Sequence, residues 1–404
     1  MNALPKPSTL EQKHSEKLVA VIKQQIEEAG GKISFGTFMQ ACLYTPGLGY
    51  YSAGATKFGA AGDFVTAPEI SELFGQSLAE YYLQFKSKNF PETPLNIIEL
   101  GAGTGKLADD ILTYLQMHNN LPEYYYILEV SADLKQKQQN YLAEKCPEFF
   151  SNIIWLNALD NLPNFNGNGL ILANEVLDAL PVELFKLTPK APNDLEIAQI
   201  WVTLHPNDPN RFETISLPAD LEFKTSVKSV LDLEDFSFDA SHYLSEINLH
   251  VFPWLAGIEK MIDKGQLIFI DYGFGAPEYY HLSRHMGTLL CHYKHHAHGD
   301  FLSHIGLQDI TAHVNFTQVA LAAKQLGLTI DNFTTQAEFL LSQNLGLLTE
   351  KQLATASPAE RIKLINQLQL LTAPHEMGEL CKVLILQKGE LDPIHSGRPH
   401  FHRL

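Results

Sequence analysis

Apolar residues spaced three or four positions apart open the chain. They predict helices over residues 11–29, 34–42 and 69–85. Between the last two helices, residues 45–68 are rich in Gly, Pro and aromatic side chains, and a loop of this length is typical of a functional segment. We therefore predict that residues 1–92 form an N-terminal helical cap with a loop that covers a pocket.

Further along the chain, short apolar runs alternate with helical patterns. Strands that alternate with helices form a parallel, doubly wound sheet with helices on both faces. The pattern therefore predicts an α/β, Rossmann-like fold. The runs are LNIIEL (95–100), YYYILEV (124–130), IIWL (153–156), GLILAN (169–174), QLIFID (266–271) and CKVLILQ (381–387).

Composition narrows the possible functions. The 404 residues include 46 acidic and 29 basic side chains, which gives a formal charge of −17 at pH 7. This charge argues against the broad basic surface of a nucleic-acid-binding protein, so we expect no nucleic-acid partner. With 45% apolar residues the chain can form a globular core, which excludes a disordered protein.

The same composition bears on the compartment. Four cysteines, too far apart for CxxC spacing, favour a reducing compartment. The first residues lack the apolar segment of a signal peptide and the arginines of a transit peptide. No window of about 18 residues is free of polar groups. We therefore expect a cytoplasmic protein without a membrane span.

The candidate chemistry begins where the first strand ends, at Glu99 followed by Gly101, Gly103 and Gly105. Glycines let the chain turn sharply and admit a ligand to the backbone, beside the free N–H groups of the next helix. Lys106 stands where the dinucleotide motif needs a small residue, and the phosphate-loop motif fails at two positions. A turn that binds nothing is the structural alternative.

A second acid, Glu129, follows the second strand, where its carboxylate can accept hydrogen bonds from ribose hydroxyls. Two acids at adjacent strand ends disfavour the alternative that the glycine turn binds no ligand. S-adenosylmethionine (SAM) has a ribose and an adenine but no phosphate, and it carries a sulfonium and an amino acid group. The pattern therefore indicates SAM as the ligand.

Eight short segments occur in order along residues 34–330. They are GYYS (49–52), GDFVTAPEIS (62–71), IIELGAGTG (97–105), ILEVS (127–131), LANEVLDALPV (172–182), IDYG (270–273), GTL (287–289) and DITAHVNF (309–316). Together they resemble the motifs of the MidA-type SAM-dependent methyltransferases. The resemblance implies a class I methyltransferase fold with a seven-stranded, mostly parallel sheet, and SAM as methyl donor. From mitochondrial members that assist assembly of respiratory complex I, it implies symmetric dimethylation of arginine in a protein.

The resemblance also implies a donor site. Glu99, Gly101, Gly103, Gly105 and Glu129 fall on the donor-binding motifs of the family. The glycines are expected to admit the amino acid part of SAM, and Glu129 to hold the ribose.

Five further residues complete the predicted donor site. Asn157 and Leu159, after the third strand, are predicted to face the adenine, and Asn174 lies at the end of the fourth strand. Thr66 and Glu69, at a helix start, are predicted to help close the pocket.

The predicted catalytic residues are Glu175 and Asp178, which follow the fourth strand at the edge that faces the ligand crevice. Two carboxylates can hold a guanidinium through its planar donors and align the nitrogen that attacks. Capping of the following helical turn is the structural alternative.

The acceptor is less well defined than the donor. A protein substrate is expected, and the family suggests a subunit of a respiratory complex. A small-molecule methyltransferase, another protein methyltransferase and a non-catalytic SAM-binding assembly factor stay open as alternatives. A nicotinamide-dependent oxidoreductase is disfavoured by Lys106. The sequence indicates no oligomeric state.

Histidines crowd into residues 292–298, and more follow at His304 and His313. The segment starts like a strand and contains Gly299, so it lacks the helical spacing that pairs histidines on a metal. We therefore predict no metal site and expect these rings to line or cover the acceptor cleft, or to lie on a solvated loop.

These predictions divide the chain after the N-terminal cap. Residues 93–205 form the first part of the SAM-binding core, and residues 206–247 form an irregular, acidic insertion. Residues 248–390 form the second part, with insertions that shape the acceptor site, and residues 391–404 form a tail.

Overall fold

The computed structural model of the chain describes residues 4–53, 66–156, 159, 162–191, 194–231 and 242–404. Its helices are α1 (Thr9–Glu28), α2 (Phe35–Tyr44), α3 (Ala67–Ile70), α4 (Glu72–Asn89), α5 (Lys106–Met117), α6 (Ala132–Lys145), α7 (Leu221–Val230), α8 (Val251–Ile258), α9 (Ala276–Tyr279), α10 (Phe316–Gln325), α11 (Gln336–Ser342), α12 (Leu345–Thr355), α13 (Pro358–Thr372) and α14 (Met377–Leu380).

Its strands are β1 (Lys32–Ser34), β2 (Asn96–Leu100), β3 (Tyr125–Leu128), β4 (Ile153–Leu156), β5 (Asn168–Asn174), β6 (Glu183–Ala191), β7 (Asp194–His205), β8 (Asp208–Pro218), β9 (Tyr243–Ile247), β10 (Lys264–Phe274), β11 (Leu290–Tyr293), β12 (His296–His298), β13 (Asp309–Thr311), β14 (Val314–Asn315), β15 (Thr329–Thr335) and β16 (Cys381–Lys388).

The largest sheet has the strand order β15-β16-β10-β5-β2-β3-β4, with β14 beside β10. The five strands from β10 to β4 pair in parallel, whereas β16 is antiparallel to both of its neighbours. The chain runs outward in both directions from β2, so the loops after β2, β3 and β5 open at one edge. The predicted Rossmann-like fold with seven mostly parallel strands is confirmed.

Helices cover both faces of this sheet. Ile97 of β2 packs in a core with α4 and α5, and the next residue, Ile98, packs in a core with α8 and α10. Successive side chains of a strand point to opposite faces, and all five residues of β2 are buried. β2 therefore packs against the helices on both faces of the sheet, and this packing fixes the position of the loop that follows it.

The predicted N-terminal cap contributes to two parts of the fold. α1 and α2 pack against β6, β7 and β8, whereas α4 belongs to the core of the main sheet. The helix predicted over residues 69–85 is interrupted at Ser71, which caps α4 by accepting the N–H of Leu73 at 3.3 Å. The boundary at residue 92 stays a prediction.

A second, antiparallel sheet follows β5 in the chain. Its order is β1-β7-β6-β9, with β8 beside β7. The expectation of irregular structure over residues 206–247 is wrong for the described part, which forms β8, α7 and β9. Only Phe212 of β8 is buried, so this strand lies largely at the surface and contributes little to the core.

The histidine-rich segment forms a small sheet of order β12-β11-β13. β11 and β12 are joined by a tight turn in which Lys294 and His295 have φ of +47° and +63°. Its histidines are therefore carried by a hairpin.

Two further expectations concern the whole chain. None of the described helices is both long and apolar enough to cross a membrane. The four cysteines carry free thiols and are buried.

Candidate active site

A cavity of about 620 Å³ opens at the carboxyl edge of the main sheet, above the ends of β2, β3 and β5. Ligand sites of open α/β sheets lie at this edge, and the volume is within the usual range for a bound small molecule. Nine of the twelve predicted site residues line it: Thr66, Glu69, Glu99, Gly101, Gly103, Glu129, Asn174, Glu175 and Asp178.

The other three predicted residues do not line the described cavity wall. Gly105 begins α5 with a φ of +88°, and a Cβ there would face Leu142 of α6. Leu159 packs beside Gly257 of α8. Asn157 lies outside the described residues, as does half of the predicted pocket loop, residues 54–65. The adenine contacts of Asn157 and Leu159 stay predictions.

The loop from β2 to α5 forms one wall of the cavity. Gly101 and Gly103 have φ of +69° and +54°, in the left-handed region that glycine adopts at little cost. A Cβ built on Gly103 would meet no atom of the other described residues within 4 Å, apart from its two chain neighbours. The backbone of Gly103 therefore faces open space that a ligand can enter.

Glu99 lies at the base of the cavity. It is 3% exposed, and its Oε2 accepts the hydroxyl of Tyr125 at 2.7 Å. Burial raises the pKa of Glu99 to about 7, with the Tyr125 hydrogen bond opposing this rise and the charge of Glu129 adding to it. A cationic ligand group beside Glu99 would favour the ionised carboxylate.

Glu129 is held by two donors. The N–H of Ser131 donates to its Oε1 at 2.8 Å, and Nε2 of Gln138 donates to its Oε2 at 2.9 Å. The fully buried Gln138 also donates to the carbonyl of Gly103 at 2.9 Å and accepts Nε1–H of Trp155 at 3.0 Å. Gln138 was not among the predicted site residues, although its spacing of four residues from both Leu134 and Leu142 places it on the buried face of α6.

Glu175 lies at the part of the cavity where the methyl acceptor is expected to bind, here called the acceptor end. Its φ is +52°, a conformation that costs a non-glycine residue about 1–3 kcal/mol and that clusters at functional sites. Its N–H donates to the carbonyl of Ile270 at 2.8 Å, and Oε1 accepts Nδ2–H of Asn174 at 3.3 Å and the N–H of Ala67 at 3.5 Å. Burial, followed by the charge of Asp178, raises the pKa of Glu175 to about 8.

Asp271 of β10 accepts hydrogen bonds from the backbone of the loop that follows β5. Its Oδ2 accepts the N–H groups of Val176 at 3.1 Å, Leu177 at 2.9 Å and Asp178 at 3.2 Å. The described chain passes from β5 to β6 without a helix between them. Asp271 accepts the N–H groups that a helix-capping side chain would accept. The side chains of Glu175 and Asp178 both line the cavity, and the carboxylate of Asp178 also accepts the N–H of Ala179.

Asp309, the first residue of β13, adds a third carboxylate to the acceptor end. It is 1% exposed, the hydroxyl of Tyr51 lies 3.0 Å from both carboxylate oxygens, and the N–H of Ile310 donates to Oδ1 at 2.9 Å. Burial and the charges of Asp271 and Asp309 raise the pKa of Asp178 well above its usual value. Carboxyl groups are therefore concentrated at the acceptor end of the cavity.

The sequence analysis singled out neither Asp271 nor Asp309 as a site residue. Asp271 follows the apolar run QLIFI directly, as Glu99 follows NII. The expectation that an acid after a buried strand faces the ligand crevice therefore applies to Asp271 as well as to Glu99. Asp309 begins a three-residue strand and offers no comparable signal.

Aromatic rings from the N-terminal segment close one side of the acceptor end. Tyr44 and Tyr51 stack with centroids 5.6 Å apart, and the hydroxyl of Tyr44 donates to the carbonyl of Ala179 at 3.0 Å. Trp254 and Tyr272 also line the cavity. These rings restrict the access of water to the carboxylates.

Thr66 and Glu69 line the cavity at the start of α3. Glu69 accepts a hydrogen bond from the hydroxyl of Thr104 in the loop after β2. This contact ties the front segment to the glycine turn, in agreement with the predicted position of both residues at the pocket.

Lys106 is the only Lys or Arg among the described residues of the cavity wall. It lies in the first turn of α5 and forms an ion pair with Asp110. In the sequence, Lys106 was interpreted only as a mismatch to the dinucleotide-binding motif, and its position at the pocket was not predicted.

The residues present fit SAM. Gly103 offers an open cradle for the amino acid group, Lys106 a cation for its carboxylate, and Glu129 an acceptor for the ribose hydroxyls. Oδ1 of Asn174 is buried without a hydrogen-bond partner in the described part of the protein, so a donor group of a ligand can satisfy it.

Two histidines reach the cavity, His292 of β11 and His313. Within the described ranges, no three His, Cys, Asp or Glu side chains are grouped so that they could hold a metal ion. Burial, with Arg284 and Lys382, lowers the pKa of His313 to about 4.

Residues 77–334, well over half of the chain, match a protein family described as "Putative S-adenosyl-L-methionine-dependent methyltransferase". Curated relatives include "Protein arginine methyltransferase NDUFAF7, mitochondrial" of Danio rerio, 28% identical over 87% of this chain and 82% of the relative. The Homo sapiens protein of the same name is 25% identical over 86% of this chain and 78% of the relative.

A solved structure is similar over nearly the whole chain. It is a COG1565 superfamily member from Burkholderia thailandensis bound to S-adenosyl-homocysteine, 34% identical, with a TM-score of 0.87 over 99% of this chain and 100% of that one. The expected donor, SAM, and the expected enzyme class are thereby confirmed. The chain belongs to the MidA-type family of S-adenosyl-L-methionine-dependent methyltransferases.

Proposed function

We propose that this methyltransferase modifies arginine side chains of a protein. The observation that carries the proposal is the acceptor end of the cavity, where Glu175, Asp178 and Asp309 converge. The one basic Lys or Arg of the described wall, Lys106, lies at the donor end. Burying several carboxylates side by side is costly, and a cationic ligand group offsets that cost; arginine supplies a cation that stays charged.

The geometry of the guanidinium suits this site. Its five N–H donors lie in one plane and form paired hydrogen bonds with carboxylates. Tyr44, Tyr51 and Trp254 add aromatic faces, on which a guanidinium stacks favourably. Because a bound cation favours ionised carboxylates, it would offset the burial that raises the pKa of Glu175.

The proposed catalytic role of Glu175, with Asp178, is alignment. SAM supplies a methyl group that is already activated by a positively charged sulfur. The protein then has to present one guanidinium nitrogen in line with that methyl group and to keep water away. Alignment of this kind can lower a barrier by about 7–11 kcal/mol when the geometry is near ideal.

The relatives named as protein arginine methyltransferases support this acceptor class. Symmetric dimethylarginine is the product that we propose, and a subunit of a respiratory complex is the candidate substrate protein. The cytoplasmic location stays a prediction, while the named relatives are mitochondrial.

Incubation of the purified protein with methyl-labelled SAM and cell extract tests the acceptor. We expect label in protein, recovered after hydrolysis as methylated arginine, with fragmentation in mass spectrometry giving the symmetric form. The Glu175→Gln variant should lose at least about 100-fold in rate, as expected for loss of an aligning charge. Glu144→Gln, at an exposed acid of α6, is the matched control.

Two results would contradict the proposal. Label that appears only in low-mass products would indicate a small-molecule acceptor. Label that is recovered as methylated lysine or another residue would reject arginine.

A further inference from the structure

His292 lies directly opposite Asp309 in the antiparallel pair β11–β13, and both residues line the acceptor end of the cavity. Residues opposite one another in such a pair project to the same face, with Cβ atoms about 4.5–5.5 Å apart. The imidazole of His292 is therefore beside the carboxylate that Tyr51 holds.

The described groups around this position come from several parts of the fold. β12, on the other side of β11, places Ala297 opposite His292 and adds no charge there. The titratable groups on the described cavity wall around it are Tyr44 and Tyr51 of the front segment, Glu175 and Asp178 after β5, Tyr272 of β10, Asp309 of β13, and His313 before β14. Burial raises the pKa of Tyr272.

These neighbours are poorly suited to accept a proton. Burial raises the pKa of Tyr44 and of Tyr51 above the ordinary range, so both hydroxyls stay protonated. His313, with a pKa of about 4, is a weak base. Glu175 and Asp178 would be engaged by the guanidinium.

Methylation of a guanidinium releases a proton. The attacking nitrogen forms a bond to the methyl carbon while the carbon–sulfur bond breaks and leaves its electron pair on sulfur. The methylated guanidinium keeps a single positive charge, so the nitrogen that gained the methyl group must lose one proton. A base within reach of that nitrogen favours the localised lone pair that the attack requires.

We propose that His292 is this proton acceptor. Its neutral imidazole takes the proton from the attacked nitrogen, Asp309 stabilises the resulting imidazolium, and the proton then passes to solvent. The inference rests on arginine being the acceptor, and it gives a catalytic task to one histidine of the histidine-rich segment.

The test is the His292→Gln variant, compared with His296→Gln, an exposed histidine of the same hairpin that does not line the cavity. kcat is measured with an arginine peptide from about pH 5 to pH 9, because kcat reports groups of the bound complex. In that complex the guanidinium keeps the carboxylates ionised, so protonation of the imidazole should produce the acid limb.

We expect His292→Gln to lower kcat about 100-fold and to abolish the acid limb, while His296→Gln matches the wild type. SAM affinity, measured by calorimetry, should be unchanged in both variants. NMR titration of the imidazole of His292 in the substrate complex should give the same midpoint as the acid limb.

A second variant keeps the test independent of how well His292→Gln folds. Asp309→Asn should lower kcat about 10-fold and move the acid limb to lower pH, because the imidazolium loses its facing charge.

Retention of kcat and of the acid limb in His292→Gln would overturn the inference. An increase in KM with an unaltered pH profile would overturn it as well, since that result indicates a structural contact. Both results presuppose that the wild type methylates arginine. If it does not, the proposed function itself fails.

Discussion

Nε2 of Gln138 lies 2.9 Å from Oε2 of Glu129 and donates a hydrogen bond to it. The same amide donates to the carbonyl of Gly103, so one buried side chain of α6 joins the end of β3 to the glycine turn after β2. This side-chain link adds to the backbone bond between the same elements, in which the N–H of Gly101 donates to the carbonyl of Leu128 at 3.0 Å. The donor site is therefore oriented by a residue that need not contact the donor.

Replacement of Gln138 by Leu should weaken SAM binding by about 1–3 kcal/mol, the usual penalty for loss of hydrogen bonds to a charged group. Glu129 and the carbonyl of Gly103 would each lose a donor. Calorimetric titration of SAM measures the effect. Gln136→Leu, at an exposed position of the same helix, is the control. Equal affinities in the two variants would show that Gln138 does not orient the site.

Gly103→Val should abolish detectable SAM binding while the protein stays folded. The branched side chain would enter space in which no atom of the other described residues, apart from its two chain neighbours, lies within 4 Å of the new Cβ. A left-handed φ in a β-branched residue costs about 1–3 kcal/mol of stability. Gly327→Val carries the same strain, with a φ of +77° and open surroundings after α10, and it should keep wild-type affinity. Comparable SAM binding by both variants would reject the role of the turn.

The donor half of the site could be predicted because its residues are close in sequence. Glu99 and the glycines belong to a single strand and turn, and Glu129 ends the neighbouring strand. Parallel strands bring their carboxyl ends to one edge, so alternation of strands and helices alone placed these residues together.

In the acceptor half, Glu175 and Asp178 follow the same strand-end rule, whereas Asp309 and Tyr51 are brought there by tertiary contacts that no local pattern encodes. Asp309 lies near Asp178 where the chain after β13 contacts the loop after β5, with the N–H of Ala312 donating to the carbonyl of Asp178 at 3.1 Å. Tyr51 belongs to the N-terminal segment, whose helices α1 and α2 pack on the second sheet. The second, antiparallel sheet was not predicted from the sequence. One of its strands, β8, buries a single side chain.

SAM affinity should increase as the pH rises through about 7, where Glu99 ionises in the protein without ligand. A cationic ligand binds the ionised carboxylate better, so binding releases a proton from Glu99. Titration in buffers of different ionisation enthalpy measures that proton. In Glu99→Gln the increase should disappear, with weaker binding at pH 8 than in the wild type. A pH-dependent increase that persists in this variant would assign it to another group.

Glu175→Asn should produce a protein that is more stable and inactive. Asparagine tolerates the left-handed φ of +52° better than glutamate does, so about 1 kcal/mol of strain is relieved. The substitution also removes a buried carboxyl whose pKa in the folded protein is raised to about 8.

The pH dependence distinguishes these two sources of stability. A carboxyl with a raised folded pKa binds more protons when folded, so wild-type stability is lost as the pH rises from about 4.5, the unfolded value, to about 8. The advantage of Glu175→Asn in free energy of unfolding should therefore grow over this interval by about 1–3 kcal/mol and be constant above it. Urea unfolding at several pH values measures it, with Glu144→Asn as the control at an exposed acid of α6. An advantage that is the same at every pH would mean that backbone strain alone is relieved, and that the carboxylate of Glu175 is not destabilised in the absence of substrate.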